Sequence, residues 1–132
     1  MRKNARNAVY LLLFEYTFEK KINERTKSLL YANATMTDED KAYSDKTIEG
    51  IVSHMDELTD VIMKYAVGYA TPDRLNRADY TALLYGAYEL LFASDIPKGV
   101  AISEAINLSE EYGGEKSVSF VNGILSSINK GN

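Results

Sequence analysis

Cysteine is absent from this sequence, which removes disulfides, thiolate metal ligands and any cysteine nucleophile, and fits a reducing compartment. Histidine occurs once, at His54, inside a stretch patterned as a helix. A lone imidazole there is more often a boundary residue than a general base. No glycine-rich phosphate loop, serine-centred elbow or zinc-binding helix motif occurs. The chain is therefore expected not to be an enzyme. With 2 prolines and 8 glycines it is also poor in the turn residues an all-β domain needs. No apolar run approaches the roughly 18 residues of a membrane span. The short apolar run at 9–14 is followed by Glu15 and Glu19 and lacks a small-residue cleavage site, so it reads as helix rather than signal peptide. A cytoplasmic protein without membrane contact is the expectation.

What is present is enough apolar residue, 45% of 132, for one domain with one core, residues 1–132. The net charge of −4 is unevenly spread. Residues 1–30 carry seven basic side chains against three acidic ones, a surplus of four positive charges. The remaining 8 basic and 16 acidic residues leave that part at −8. Such segregation suggests two surfaces with different tasks, although chance asymmetry on a solvated surface explains it equally well.

Helical periodicity runs through the chain. Residues 4–21 place Ala5, Val9, Leu12, Leu13 and Tyr16 on one face, widened by Leu11, Phe14 and Phe18. Arg2, Lys3 and Arg6 stand at the start of that helix, the wrong sign for its dipole; a bound anion would explain them. Residues 22–36 predict a short helix and then a loop through Asn33-Ala34-Thr35. Thr37-Asp38-Glu39-Asp40 is a helix start with a hydroxyl cap. The helix behind it is expected to continue to about residue 65 along Ile48, Ile51, Val52, Met55, Leu58, Ile62 and Met63. Asp38, Asp40, Ser44 and Glu49 fall at positions 1, 3, 7 and 12 of a calcium loop, but Ala42 and Tyr43 at positions 5 and 6 break its pattern, and no metal or cofactor is expected. Further helices are predicted at 77–93, at 99–112 with Val100, Ile102, Ala105, Ile106 and Leu108 inward, and at 116–128 with Phe120, Val121, Ile124, Leu125 and Ile128. Gly113-Gly114 closes the second of these. No alternating strand pattern competes, so the fold class is all-α.

Several motifs in fixed order resemble the NusB family. They are Tyr88-Glu89-Leu90, Asp95-Ile96-Pro97, the run Val100-Ala101-Ile102-Ser103-Glu104-Ala105-Ile106-Asn107-Leu108, and Phe120-Val121-Asn122-Gly123-Ile124-Leu125. Ala5-Arg6 with Leu13-Phe14 and Tyr16 is similar to that family's opening helix. The likeness covers residues 2–20 and about 45–130; residues 21–44 match poorly. It implies about six or seven helices in two helical halves. It also implies a transcription antitermination factor that binds boxA-type single-stranded RNA of nascent ribosomal RNA transcripts together with NusE, a small-subunit ribosomal protein, and helps RNA polymerase pass terminators. Carried over position by position, the RNA surface comprises Arg2, Lys3, Arg6, Phe14, Lys116, Phe120 and Asn122. Asp73 and Asp79 look like positions presented to NusE. In this sequence the opening basic cluster is thinner than the family's, Leu84 stands where an arginine is common, and Lys116 where an acid is frequent.

Each residue also has a structural reading. Phe14 and Phe120 suit a core, Glu89 and Glu104 suit pairing within the helices, and Asn122 can bond its own backbone. Gly123 is expected to mark close packing of a neighbouring helix. Two alternatives stay open: a protein-interaction module without RNA binding, and a stand-alone accessory domain of an RNA-modifying enzyme. Monomer and homodimer are equally open for the free protein.

Overall fold

The computed structural model describes residues 2–33 and 35–131, and among them it contains seven α-helices, one short 3-10 turn and no strand. Ala34, within the expected loop, and the two terminal residues lie outside the described residues. Contacts divide the chain into two units, residues 1–52 and 53–132.

The first unit holds α1 (Arg2–Glu19), α2 (Glu24–Tyr31) and α3 (Asp38–Ser53). In α1, Ala5, Val9, Leu12 and Leu13 are buried, as their spacing predicts, Tyr16 of the same face is only partly buried, and Ala8 and Tyr10 are buried besides. Ala5, Ala8 and Met36 form a small apolar cluster, flanked by Leu30, Tyr31 and Tyr43. α1 stops at Glu19 because Lys20 takes a left-handed backbone, φ 62°, while its N–H still reaches the Tyr16 carbonyl at 2.8 Å. α2 starts on Asn23, whose Oδ1 accepts from the N–H groups of Arg25 and Thr26. α3 starts on a reciprocal cap: Asp40 N–H donates to Thr37 Oγ1 at 3.0 Å, and Thr37 N–H donates to Asp40 Oδ2 at 3.2 Å. Two orphan donors of the helix start are thereby satisfied.

The second unit holds α4 (Met55–Tyr65), a 3-10 turn (Pro72–Arg74), α5 (Arg77–Phe92), α6 (Lys98–Tyr112) and α7 (Glu115–Gly131). α5 is its axis: it packs against α4, α6 and α7, and its residues 81–90 are all buried. That explains why its composition is nearly all apolar, with no polar face to spare. Gly86 permits the closest approach. A β-carbon there would meet Leu125 Cδ1 of α7 at 2.6 Å and Ala105 Cβ of α6 at 3.0 Å. Asn76 Oδ1 caps α5 by accepting from Ala78 and Asp79 N–H. Gly113 and Gly114 end α6 as expected, both N–H groups donating to the Ser109 carbonyl, with Gly114 at φ 109°.

Three helix-level expectations need correcting. The helix predicted from 38 to 65 is two helices, α3 and α4, broken at His54 (φ −112°, ψ 19°). The apolar period runs on through the break, so periodicity alone does not reveal it. Val100 points outward and is 44% exposed, and Ile102 and Ile106 are only partly buried; Ala105 and Leu108 are buried as predicted, joined by Ala101 and Ser109. Gly123 packs against nothing: a β-carbon there would have no neighbour within 4 Å.

Candidate nucleic-acid interface

In the first unit the basic start of α1 divides into two kinds of residue. Arg2 and Lys3 are exposed. The Arg2 guanidinium lies over the Tyr43 ring, 4.0 Å from its centroid, which holds the charge at the surface without neutralising it. Arg6 is different. It is only 4% exposed, and its guanidinium is 5.5 Å from the same ring. Its burial gives Arg6 a structural part that the exposed Arg2 and Lys3 lack. Further along α1, Phe14 is partly buried between Tyr10, stacked at 6.4 Å, and Phe18, edge-on at 5.2 Å. Phe18 is 55% exposed, so this ladder of rings one helical turn apart ends in solvent.

In the second unit the start of α7 carries Lys116, exposed, and Phe120, partly buried. Val121, Ile124, Leu125 and Ile128 fill the buried stripe of this helix, and Phe120 stands to one side of it. Its ring meets Tyr69 edge-on, centroids 5.5 Å apart, and Tyr69 is itself exposed. Asn122 is exposed too, with its Oδ1 accepting from Ser126 Oγ at 3.2 Å. At about 100° per residue, Asn122 sits roughly 160° round the helix from Phe120. α7 therefore brings Lys116 and Phe120 to one side and leaves Asn122 on the opposite flank of the buried stripe.

The two acids differ as well. Asp73 is exposed in the 3-10 turn. A hydrogen bond from Thr71, another from its own backbone N–H, and the nearby Arg74 and Arg77 hold its carboxyl below the usual range. Asp79, in the first turn of α5, is buried, and its Oδ1 has no hydrogen-bond partner. The N-terminal end of a helix stabilises such a carboxylate, yet one oxygen is left unmet.

The NusB family model matches residues 3–130. The chain belongs to the NusB family. It is 34% identical over 126 residues to the transcription antitermination protein NusB of Agathobacter rectalis, covering 94% of this chain and 95% of that relative. Among solved structures it is similar to NusB of T. maritima, with a TM-score of 0.87, 34% identity, and 98% and 91% of the two chains covered. It is also similar to a chain in the crystal structure of the antitermination factors NusB and NusE in complex with double-stranded RNA. There the TM-score is 0.86 and the identity 26%, over 99% of this chain and 97% of that one.

The NusB-like motifs occupy defined places in the second unit. Tyr88-Glu89-Leu90 is buried within α5, and Asp95-Ile96-Pro97 is the turn that opens α6, with Pro97 as its N-cap. Leu84, also on α5, is wholly buried. His54 stacks on Phe92 at 4.0 Å and pairs with Glu57 through Nδ1 at 3.1 Å, the situation of a boundary residue. No helix among the described residues is long and apolar enough to cross a membrane. Tyr43 and Tyr69 are the neighbours that sequence reasoning missed. Tyr43 lies off the apolar stripe of α3, and Tyr69 stands in the aperiodic stretch between Gly68 and Pro72, so neither carries a periodic signal.

Proposed function

We propose that this protein is a transcription antitermination factor that binds boxA-type RNA of nascent ribosomal transcripts together with NusE, and acts as a binding factor without a catalytic step. The observation that carries the proposal is the likeness, over 99% of the chain, to a NusB solved with NusE and RNA. The geometry supports it. Arg2, Lys3 and Lys116 are exposed cations suited to phosphates, and Phe14 and the Tyr69–Phe120 pair offer aromatic faces to splayed bases. Arg6 steadies the start of α1, and Asn122 lies outside the contact. Asp73 offers an exposed charge to basic NusE. The complex acts on RNA polymerase in the cytoplasm.

Labelled single-stranded boxA-type RNA and its duplex, each titrated with and without NusE, test the proposal. Binding of the single strand that tightens when NusE is added is the expected result. No binding of either RNA, alone or with NusE, overturns it in favour of a protein-interaction module.

A further inference from the structure

Gly123 lies in the interior of a 17-residue helix, and glycine is among the poorest residues for such a position. The structure offers no packing reason for it. A β-carbon at Gly86 would collide with Leu125, whereas one at Gly123 would meet nothing within 4 Å, and Gly123 is exposed. Nor does it end the helix, which continues to Gly131. Gly99 is equally open, but it stands in the first turn of α6, where the helix has yet to build its own hydrogen bonds. Alanine at 123 would fit and would strengthen α7.

What distinguishes the position is its company. Three residues separate Gly123 from Phe120 and seven from Lys116, spacings that bring all three to one side of α7. Both neighbours are the ones whose chemistry suits a nucleic-acid strand, a cation and an aromatic face. We infer that Gly123 is a positioning residue for RNA: its missing side chain lets the ribose–phosphate backbone of the bound strand lie directly against α7 while a base stacks on Phe120. A bare helix backbone also exposes its Cα–H to a ribose or phosphate oxygen. A methyl group would hold the strand off by its own radius and spoil the stacking.

This inference rests on the RNA interface proposed above, and the experiment separates the two. Gly123→Ala, Gly123→Leu, Lys116→Ala and Phe120→Ala are each measured for thermal midpoint, for boxA-type RNA affinity in the presence of NusE, and for NusE affinity. Gly123→Ala is expected to raise the midpoint by about 3–5 °C. It should also weaken RNA binding about tenfold or more, the loss of one stacked base, with NusE affinity unchanged. Gly123→Leu should weaken it further. Undiminished RNA affinity in both Gly123 variants, while Lys116→Ala and Phe120→Ala bind poorly, overturns the inference and leaves the interface standing. Full RNA affinity in all four variants overturns the interface with it. A loss confined to NusE affinity makes the occupant of this face a protein and also overturns it.

Discussion

At the scale of single residues, exposure separates side chains that the sequence presents as equivalent. Arg2, Lys3 and Arg6 read alike as a basic cluster, yet Arg6 is buried and the other two are exposed. Replacing Arg2 and Lys3 with alanine should flatten the salt dependence of RNA binding by up to roughly 0.7 log units per lost phosphate contact, with unfolding nearly unchanged. Arg6→Ala alone should instead lower stability by about 1–3 kcal/mol, through lost packing of its stem and unmet polar neighbours. Denaturant unfolding of the two variants side by side decides it; equal stability would return Arg6 to the surface. Phe120 stands between its two readings. With part of its ring on Tyr69, Phe120→Ala should cost about 1–2 kcal/mol of stability, less than the roughly 3–5 of a core phenylalanine. Its cost in RNA affinity should be about 1–3 kcal/mol. A core-sized loss of stability would remove it from the interface. The sequence pattern groups Phe120 with Val121, Ile124, Leu125 and Ile128, but those four alone fill the buried face and a helical wheel sets Phe120 to one side of it. The same wheel turns Asn122 to the other flank and Gly123 outward, which motif position alone conceals.

At the scale of elements, legibility followed local chemistry. The start of α3 and the end of α6 were readable because caps and turns reside in a few adjacent residues: Thr37 with Asp40, and Gly113-Gly114. The break between α3 and α4 was not. Ile51, Met55, Leu58 and Ile62 keep helical spacing across it, and no proline or glycine marks His54. Glycines within helices were ambiguous in the same way, because sequence alone does not say which one touches a neighbour. The structure separates them, and the consequence is measurable. Gly86→Ala should destabilise the protein by about 1–3 kcal/mol, since the added carbon must displace Leu125 and press on Ala105. Helix propensity by itself argues for a gain of about 1 kcal/mol, so the sign of the change in denaturation midpoint tests whether close packing of α5 on α7 governs this site.

At the scale of the whole molecule, the charge imbalance is the property most directly visible in the sequence, with four excess positive charges in residues 1–30 and eight negative in the rest. The structure refines its negative half. The resemblance implies that Asp73 and Asp79 are both presented to NusE; Asp73 is exposed, with Arg74 and Arg77 close to it, and Asp79 is buried. Exposed charge governs how fast partners meet, and a buried group governs whether the surface forms at all. Asp73→Lys should therefore slow NusE association, with a larger effect at low salt than at high, and leave the fold intact. The lowered pKa of Asp73 makes its contribution to stability present above the ordinary carboxylate range and lost only as acid carries the pH down through the folded value. Around neutrality its charge is constant, so association rates there report on steering alone. Asp79→Lys would bury an ammonium at the positive end of α5 and cost about 2–4 kcal/mol of stability. The shape-preserving Asp79→Asn is the better probe. Asp79→Asn removes the buried charge without adding bulk and should leave the rate of NusE association unchanged. Stopped-flow mixing with NusE at two salt concentrations resolves both. An Asp73→Lys variant that associates as fast as the parent at low salt would move the NusE surface away from the 3-10 turn.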